Sequence, residues 1–195
     1  MEDIFPRKDI DYSSLRMTPE GQYSVTRRRD GEHILSIMTS IVGNLKDKSI
    51  TDSTACVGGD TINFALHFRE VHSIEYSKDN FNALKHNVSV YNLQNVSLYH
   101  GDCMKLYNWA SDVLYIDPPW GGPDYREKKE LDLFLGGVRL DVWLDDVLSG
   151  PYRPSFVFLK VPANYNTVPL QFLPNVKNIR SFRIRTFYLV CVSVF

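Results

Sequence analysis

Apolar residues recur along the chain with two different periods. Between Arg27 and Val42, and again between Leu140 and Leu148, they return every three to four residues, which predicts amphipathic helices. The segment 62–68 and the stretch after Ser77 also have helical spacing. Seven other runs are short, apolar and rich in β-branched or aromatic residues, which predicts strands. These runs lie within residues 48–54, 71–76, 95–102, 111–120, 155–162, 176–184 and 186–195.

The order of these elements predicts the fold class. Strands alternate with helices along most of the chain, which indicates a mostly parallel sheet covered on both faces. The last two strands are nearly contiguous, as in an antiparallel hairpin. We therefore predict an α/β protein of Rossmann-like type, with a seven-stranded, mostly parallel sheet and an antiparallel C-terminal hairpin. Residues 1–19 are polar and show no period, so we expect an N-terminal arm followed by a single domain over 20–195.

Composition and charge narrow the class of protein. The 44% hydrophobic content is typical of a globular chain, and the net charge of -1 leaves nucleic acid to be met by local patches. Cys56, Cys103 and Cys191 are far apart, so we expect no zinc site, no disulfide framework and a reducing compartment. The N-terminus lacks the apolar core of a signal peptide, and no run is long enough to span a membrane. We expect an intracellular monomer without a metal.

Four acidic residues stand at or near the carboxyl ends of successive predicted strands. They are Asp52, Glu75, Asp102 and Asp117. Ligands of such sheets bind outside these strand ends. Four acids on one edge favour a ligand that carries hydroxyls, amines or positive charge, although a single acid there is often only solvated.

A glycine-containing loop links the first strand to a helix. In "DSTACVGGDT" (52–61), Gly58 and Gly59 permit a tight turn and the close approach of a ligand, or form a plain turn. The loop is not G-x-G-x-x-G, so a dinucleotide site is poorly supported. Glu75 stands where an acid holds ribose hydroxyls, and Asp102 is placed to accept from an adenine amine. A nucleoside with a cationic centre fits best, which indicates S-adenosylmethionine and a class I methyltransferase with its antiparallel terminal strand.

The stretch "IDPPWGGPDY" (116–125) follows the fourth strand and predicts the acceptor site. An exocyclic amine on a base is a weak nucleophile, so the site must hold its N–H groups and align its lone pair with the methyl. The Asp117 carboxylate and the Pro118 carbonyl are two acceptors for those groups. Pro118 and Pro119 fix the backbone and remove competing N–H donors. Trp120 can stack on the face of the base.

The extended motif "DPPWGGPDY" (117–125) resembles the signature of the trimethylguanosine synthase family of RNA cap guanine-N2 methyltransferases. Other blocks that resemble this family are "EGQYSVT" (20–26), "VGGDTINFAL" (57–66), the stretch 72–102 and "FVFLKVPANYN" (156–166). The resemblance covers the chain from about residue 20 and suits a short form that has only the catalytic domain. The DPPW step alone is shared with N6-adenine methyltransferases.

The resemblance implies a donor, an acceptor and a set of site residues. The donor is S-adenosylmethionine, and the acceptor is 7-methylguanosine in capped RNA, whose cationic base would stack on Trp120. Catalysis falls to Asp117, Pro118 and Pro119. Besides Trp120, the residues expected to bind the substrate are Tyr125, Arg27 and Asn164. The residues expected to bind the cofactor are Ser24, Thr26, Asp52, Val57, Gly58, Gly59, Thr61, Glu75, Tyr76, Asp102 and Asp117.

Two departures from the family pattern keep alternatives open. Cys56 stands where the family usually has glycine and would crowd the cofactor, so a catalytically weak cap-binding or regulatory subunit is one alternative. Asp117 stands where the family often has serine, and N6-adenine enzymes have aspartate there, so methylation of adenine in RNA or DNA is another. Arg27 and the two arginines after it are equally suited to the cap phosphates and to a solvated first helical turn.

Overall fold

The computed structural model describes residues 1–195, apart from the side chain of Pro123. The predicted fold class is confirmed: the chain is α/β, with a seven-stranded main sheet that is mostly parallel and ends in antiparallel strands. It divides into two compact units, Met1–Leu106 and Tyr107–Phe195. Three strands of the main sheet belong to the first unit and four to the second.

The first unit holds three parallel strands in the order β3-β2-β1. The strands are β1 (Ser49–Asp52), β2 (Glu70–Glu75) and β3 (Val96–His100). The helices are α1 (Gly21–Ser24), α2 (Arg28–Val42), α3 (Gly59–Ala65), α4 (Lys78–Val90) and α5 (Cys103–Leu106). The Ser77 hydroxyl oxygen accepts from the Asn80 N–H and caps the start of α4.

The N-terminal residues pack onto the first unit. Phe5 is fully buried and Leu15 is 7% exposed, both in the cluster that also contains Tyr91. The Tyr91 hydroxyl donates to the Pro6 carbonyl at 2.5 Å. The backbone of Arg16 exchanges two hydrogen bonds with the Asn87 side-chain amide, at 2.8 and 2.9 Å. The segment therefore contributes to the core of this unit.

The second unit holds four strands of the main sheet in the order β4-β7-β9-β8. They are β4 (Val113–Ile116), β7 (Phe156–Pro162), β8 (Val176–Ile184) and β9 (Phe187–Val194). β4 and β7 are parallel, whereas β9 is antiparallel to both β7 and β8, which confirms the predicted hairpin. A small pair that periodicity did not predict, β5 (Phe134–Leu135) and β6 (Val138–Arg139), precedes helix α6 (Leu140–Ser149).

Candidate active site

The glycine loop of the first unit is shaped by close packing. Gly58 has a φ of 95°, and a Cβ atom there would lie 2.7 Å from the Leu84 Cδ1 atom of α4. A Cβ on Gly59 would lie 2.6 Å from a methyl of Val25. The sequence predicted glycines for the approach of a ligand. The structure adds a second reason for glycine at position 58. The loop packs so closely against α4 that a side chain there would displace Leu84.

We expect Gly58→Ala to lower the free energy of unfolding by about 2–4 kcal/mol, because it adds backbone strain and an overpacked methyl group. Gly137→Ala is the matched control. Gly137 also has a positive φ, of 87°, but a Cβ there would meet nothing within 4 Å. Urea denaturation of both variants separates backbone strain from overpacking. Equal losses in the free energy of unfolding would contradict the packing argument.

Several predicted cofactor residues belong to this loop and are buried. Asp52 is fully buried because the register pairs it with Ser73, two residues before the end of β2. The Thr61 hydroxyl lies 2.6 Å from the Asp52 Oδ2 atom and 2.9 Å from the Ser73 hydroxyl. Val57 is also fully buried, and its carbonyl accepts from Asn87 at 2.9 Å. These contacts stabilise the loop. A direct contact of Asp52, Thr61 or Val57 with a cofactor stays a prediction.

Glu75, the last residue of β2, joins the loop to helix α4. Its Oε2 atom accepts from the Cys56 N–H and its Oε1 atom from the Ser77 N–H, both at 2.7 Å. Burial raises the pKa of the Glu75 carboxyl, against the lowering effect of these two bonds, and the nearby charge of Glu20 raises it further. The next ring, Tyr76, is 77% exposed and offers a flat face beside the acid.

Asp102 lies near Glu75, as the sequence predicted. The Gly101 N–H donates to the Glu75 carbonyl at 2.9 Å, so the ends of β2 and β3 meet. The Asp102 Oδ1 atom accepts from the Met104 N–H at 3.0 Å and thereby caps α5. Lys105 lies 3.8 Å from the other carboxylate oxygen.

The segment before α2 approaches the loop through one predicted residue. The Thr26 hydroxyl donates to the Asp60 carboxylate in the first turn of α3 at 2.6 Å. Ser24 and Arg27 are exposed. Arg28 is paired with Asp3 at 3.8 Å, which ties it to the N-terminal segment.

The second unit carries the predicted acceptor residues, beginning with Asp117 directly after β4. The Lys160 Nζ atom donates to the Asp117 Oδ2 atom at 2.6 Å. The side chains are 7% and 16% exposed for Lys160 and Asp117, so the pair is largely shielded from water. Pro118 is buried and Pro119 is exposed.

Trp120 is surrounded by polar and aromatic groups. The Tyr125 ring meets it edge to face, with centroids 5.2 Å apart and planes at 80°. The Lys160 ammonium lies 5.8 Å from its centroid. Its Nε1–H is buried and has no hydrogen-bond acceptor among the residues that the structure describes. An unsatisfied buried donor costs about 1–3 kcal/mol, so an oxygen of a bound ligand would relieve that cost.

Asn164 is bonded to the loop after β4 (residues 117–128), which we call the acceptor loop. Its side-chain amide donates to the carbonyls of Tyr125 and Lys128, at 2.7 and 2.8 Å. Its own carbonyl accepts from the Leu131 N–H at 2.8 Å. The sequence predicted a contact with substrate. These bonds tie Asn164 to the loop, and its direct contact with substrate stays a prediction.

Sequence reasoning missed Lys160, which the structure brings to Asp117. The signal was a single charge inside the apolar strand "FVFLKVP", because a buried lysine needs a partner. Among the described residues, no group of three or more His, Cys, Asp or Glu side chains is arranged to hold a metal. Within the same residues, no helix has the length and apolar character required to cross a bilayer.

The seven-stranded sheet, mostly parallel with antiparallel terminal strands, is the fold of the class I S-adenosylmethionine-dependent methyltransferases. The fold is similar to that of the 16S rRNA N2 G1207 methyltransferase of Thermus thermophilus, solved with AdoMet and guanosine. The TM-score is 0.68 at 14% identity, over 94% of this chain and 45% of that one. A tRNA (uracil-54, C5)-methyltransferase of Pyrococcus abyssi has a TM-score of 0.56 at 13% identity, over 89% of this chain and 40% of that one.

The chain belongs to the RNA cap guanine-N2 methyltransferase family, whose model matches residues 47–185. The trimethylguanosine synthase of Schizosaccharomyces pombe is 32% identical over 80% of this chain and 66% of its own length. That of Saccharomyces cerevisiae is 30% identical over 64% and 41%. The protein L320 of Acanthamoeba polyphaga mimivirus is 32% identical over 63% of this chain and 49% of its own length. The chain therefore spans about half of the length of these relatives. S-adenosylmethionine is the cofactor of the family, as the sequence predicted.

Proposed function

We propose that this chain transfers a methyl group from S-adenosylmethionine to the exocyclic N2 amine of 7-methylguanosine in an RNA 5′ cap. The observation that carries the proposal is the acceptor loop, in which an ion-paired Asp117 and an aromatic Trp120 follow β4. Membership of the cap guanine-N2 family supports guanine as the base.

The first unit suits the cofactor. A carboxylate offers about four lone-pair positions, and the bonds to Cys56, Ser77 and Asn80 leave room on Glu75 for a ribose hydroxyl. Tyr76 presents an exposed ring on which adenine would stack. Asp102 would accept from the adenine amine. When bound, the cofactor supplies the electrophilic methyl on a sulfonium.

In the second unit, the chain's own residues would prepare the amine. The Asp117 carboxylate and the Pro118 carbonyl would accept its two N–H bonds, so that the nitrogen lone pair is free to attack as the centre becomes tetrahedral. Trp120 would stack on the cationic base, which adds about 1–2 kcal/mol in a desolvated site. One C–N bond forms, one C–S bond breaks, and the amine loses a proton after transfer, so no strong general base is required.

The test is methyl transfer with identification of the product. We expect the purified chain to transfer labelled methyl from S-adenosylmethionine to m7GTP and not to GTP. Mass spectrometry of the product nucleoside should show the added mass on guanosine. RNA and DNA are offered as acceptors in parallel. Methylated adenosine in either of them would instead favour the N6-adenine alternative, which the Asp117 carboxylate motivates. Binding of m7GTP without turnover would favour a regulatory subunit.

The Glu75 carboxyl predicts how cofactor binding depends on pH. Its pKa lies above the ordinary value of 4.5, because burial disfavours the charged form. The protonated form loses acceptor capacity for the ribose, so affinity for S-adenosylhomocysteine should fall as pH drops through this raised pKa. Calorimetric titration between about pH 7.5 and about pH 5 measures it.

Glu75→Gln is the matched variant for that titration. It should bind S-adenosylhomocysteine about 10–100-fold more weakly, because a bond to a charged acceptor is lost, and should show little dependence on pH in the same range. The nearby carboxylate of Glu20 remains in this variant. A pH dependence that persists in Glu75→Gln would show that Glu75 is not the group responsible.

A further inference from the structure

We propose that Lys160 is a positioning residue of the acceptor site, whose buried ammonium fixes the charge and the orientation of the Asp117 carboxylate. The inference rests on the proposed function, because it assigns the carboxylate to the acceptor amine. Lys160 would act through Asp117 and would not itself touch the reacting atoms.

The sheet brings these two residues together. β4 and β7 are parallel, and Ile116 pairs with Leu159, so the next residues along the two strands lie side by side. On its other side β7 pairs with β9, where Lys160 lies opposite Leu189. The pairing with β9 holds the Lys160 backbone, and the side chain reaches Asp117 at 2.6 Å. The pairing is thus built into the strand register.

Two aromatic rings lie beside the ammonium. The Lys160 Nζ atom lies 5.8 Å from the centroid of Trp120 and 5.4 Å from that of Phe187. Lys160 as a whole is 6% exposed. Desolvation of a buried pair offsets much of its attraction, and apolar replacements are often as stable, so stability alone gives a weak reason for such a pair. The inclusion of Asp117 in the DPPW step gives a functional reason.

The chemistry of the acceptor explains what the pair does. A carboxylate accepts N–H bonds in its ionised form, whereas a protonated carboxyl is partly a donor. A cation at hydrogen-bond distance stabilises the ionised form, most strongly where water is excluded. The bond to Oδ2 also sets the plane of the carboxylate. Lys160 therefore keeps Asp117 charged and oriented toward an incoming amine.

The test compares Lys160→Met, Lys160→Arg and Asp117→Asn with the double variant Lys160→Met/Asp117→Asn. We expect Lys160→Met to lower kcat with m7GTP roughly 10–100-fold, with a much smaller change in KM, because misplacement of an acceptor group slows the chemical step. Lys160→Arg keeps a cation within reach of Asp117 and should restore most of kcat. The double variant should lose no more kcat than Asp117→Asn alone, since Lys160 acts through that carboxylate.

Thermal unfolding shows whether each variant is folded. Lys160→Met leaves a buried carboxylate without this cation and should lower Tm, whereas the double variant removes both charges and should recover part of the loss. Full kcat in Lys160→Met would overturn the positioning role. The role would also fail if the double variant lost kcat by the product of the two single-variant factors. Neither result would affect the proposed function itself. A folded wild-type chain that transfers no methyl to m7GTP would overturn the proposed function and this role with it.

Discussion

Asp117→Ala should lower kcat for methyl transfer to m7GTP by about 10²–10³-fold, the usual loss when one positioned hydrogen-bond partner of a transition state is removed. The carboxylate would hold an N–H of the acceptor amine while its lone pair turns toward the methyl. Affinity for S-adenosylhomocysteine should change much less, because Glu75, Tyr76 and Asp102 stay intact. Initial rates over a range of m7GTP concentrations, with calorimetry for the cofactor product, measure both effects.

The controls separate the loss of an acceptor from the loss of a charge. Asp117→Asn keeps one carbonyl oxygen in nearly the same place and should retain more kcat than Asp117→Ala. Asp145→Ala removes an exposed carboxylate from α6 in the same unit and should leave kcat unchanged. If Asp117→Ala kept wild-type kcat, the carboxylate would have no part in holding the amine.

Much of the fold follows from sequence pattern alone. Six of the seven strands of the main sheet lie within the predicted segments, and β2 begins one residue earlier, at Glu70. Short apolar runs rich in β-branched and aromatic residues favour strands, so the sequence locates them. Parallel order then placed Glu75 and Asp102 at neighbouring strand ends, where the Gly101 N–H links them. These features depend on local periodicity and on a general rule of parallel sheets, so sequence suffices for them.

Other features depend on register and packing, which periodicity does not contain. Asp52 reads as a strand-end acid, yet its pairing with Ser73 buries it. Lys160 reads as one charge in an apolar strand, and its partner emerges only when β7 is known to lie beside β4. Phe5 and Leu15 lie in a mostly polar segment without a regular apolar period. Sequence pattern therefore does not predict their burial.

Cys56, which the sequence interpretation treats as a departure from the family pattern, has a φ of 48°. This left-handed conformation is one that glycine adopts without steric cost. Such a conformation costs about 1–3 kcal/mol for other residues and is found mostly at functional sites. The Cys56 N–H donates to Glu75 at 2.7 Å, so the strained backbone is held by the residue proposed to bind ribose. The side chain packs against the core cluster of the first unit.

Trp120→Ala should weaken binding of m7GTP by about 30-fold or more, which corresponds to about 2 kcal/mol of stacking and cation–π attraction. Affinity for S-adenosylhomocysteine should be retained. Calorimetric titration with m7GTP and GTP measures the effect. Trp120→Phe keeps a flat ring but offers a weaker face to a cation, so it should lose more affinity for m7GTP than for GTP.

The matched control for that substitution is Trp109→Ala. Trp109 belongs to the same unit and packs against Tyr107, with centroids 5.9 Å apart, so its removal should leave m7GTP affinity unchanged. Unchanged affinity in Trp120→Ala would remove this ring from the acceptor site. Equal losses for m7GTP and GTP in Trp120→Phe would mean that stacking alone selects the base. A loss confined to m7GTP would assign the preference for a methylated cap to the charge of the base, which is the property that distinguishes this acceptor from adenine.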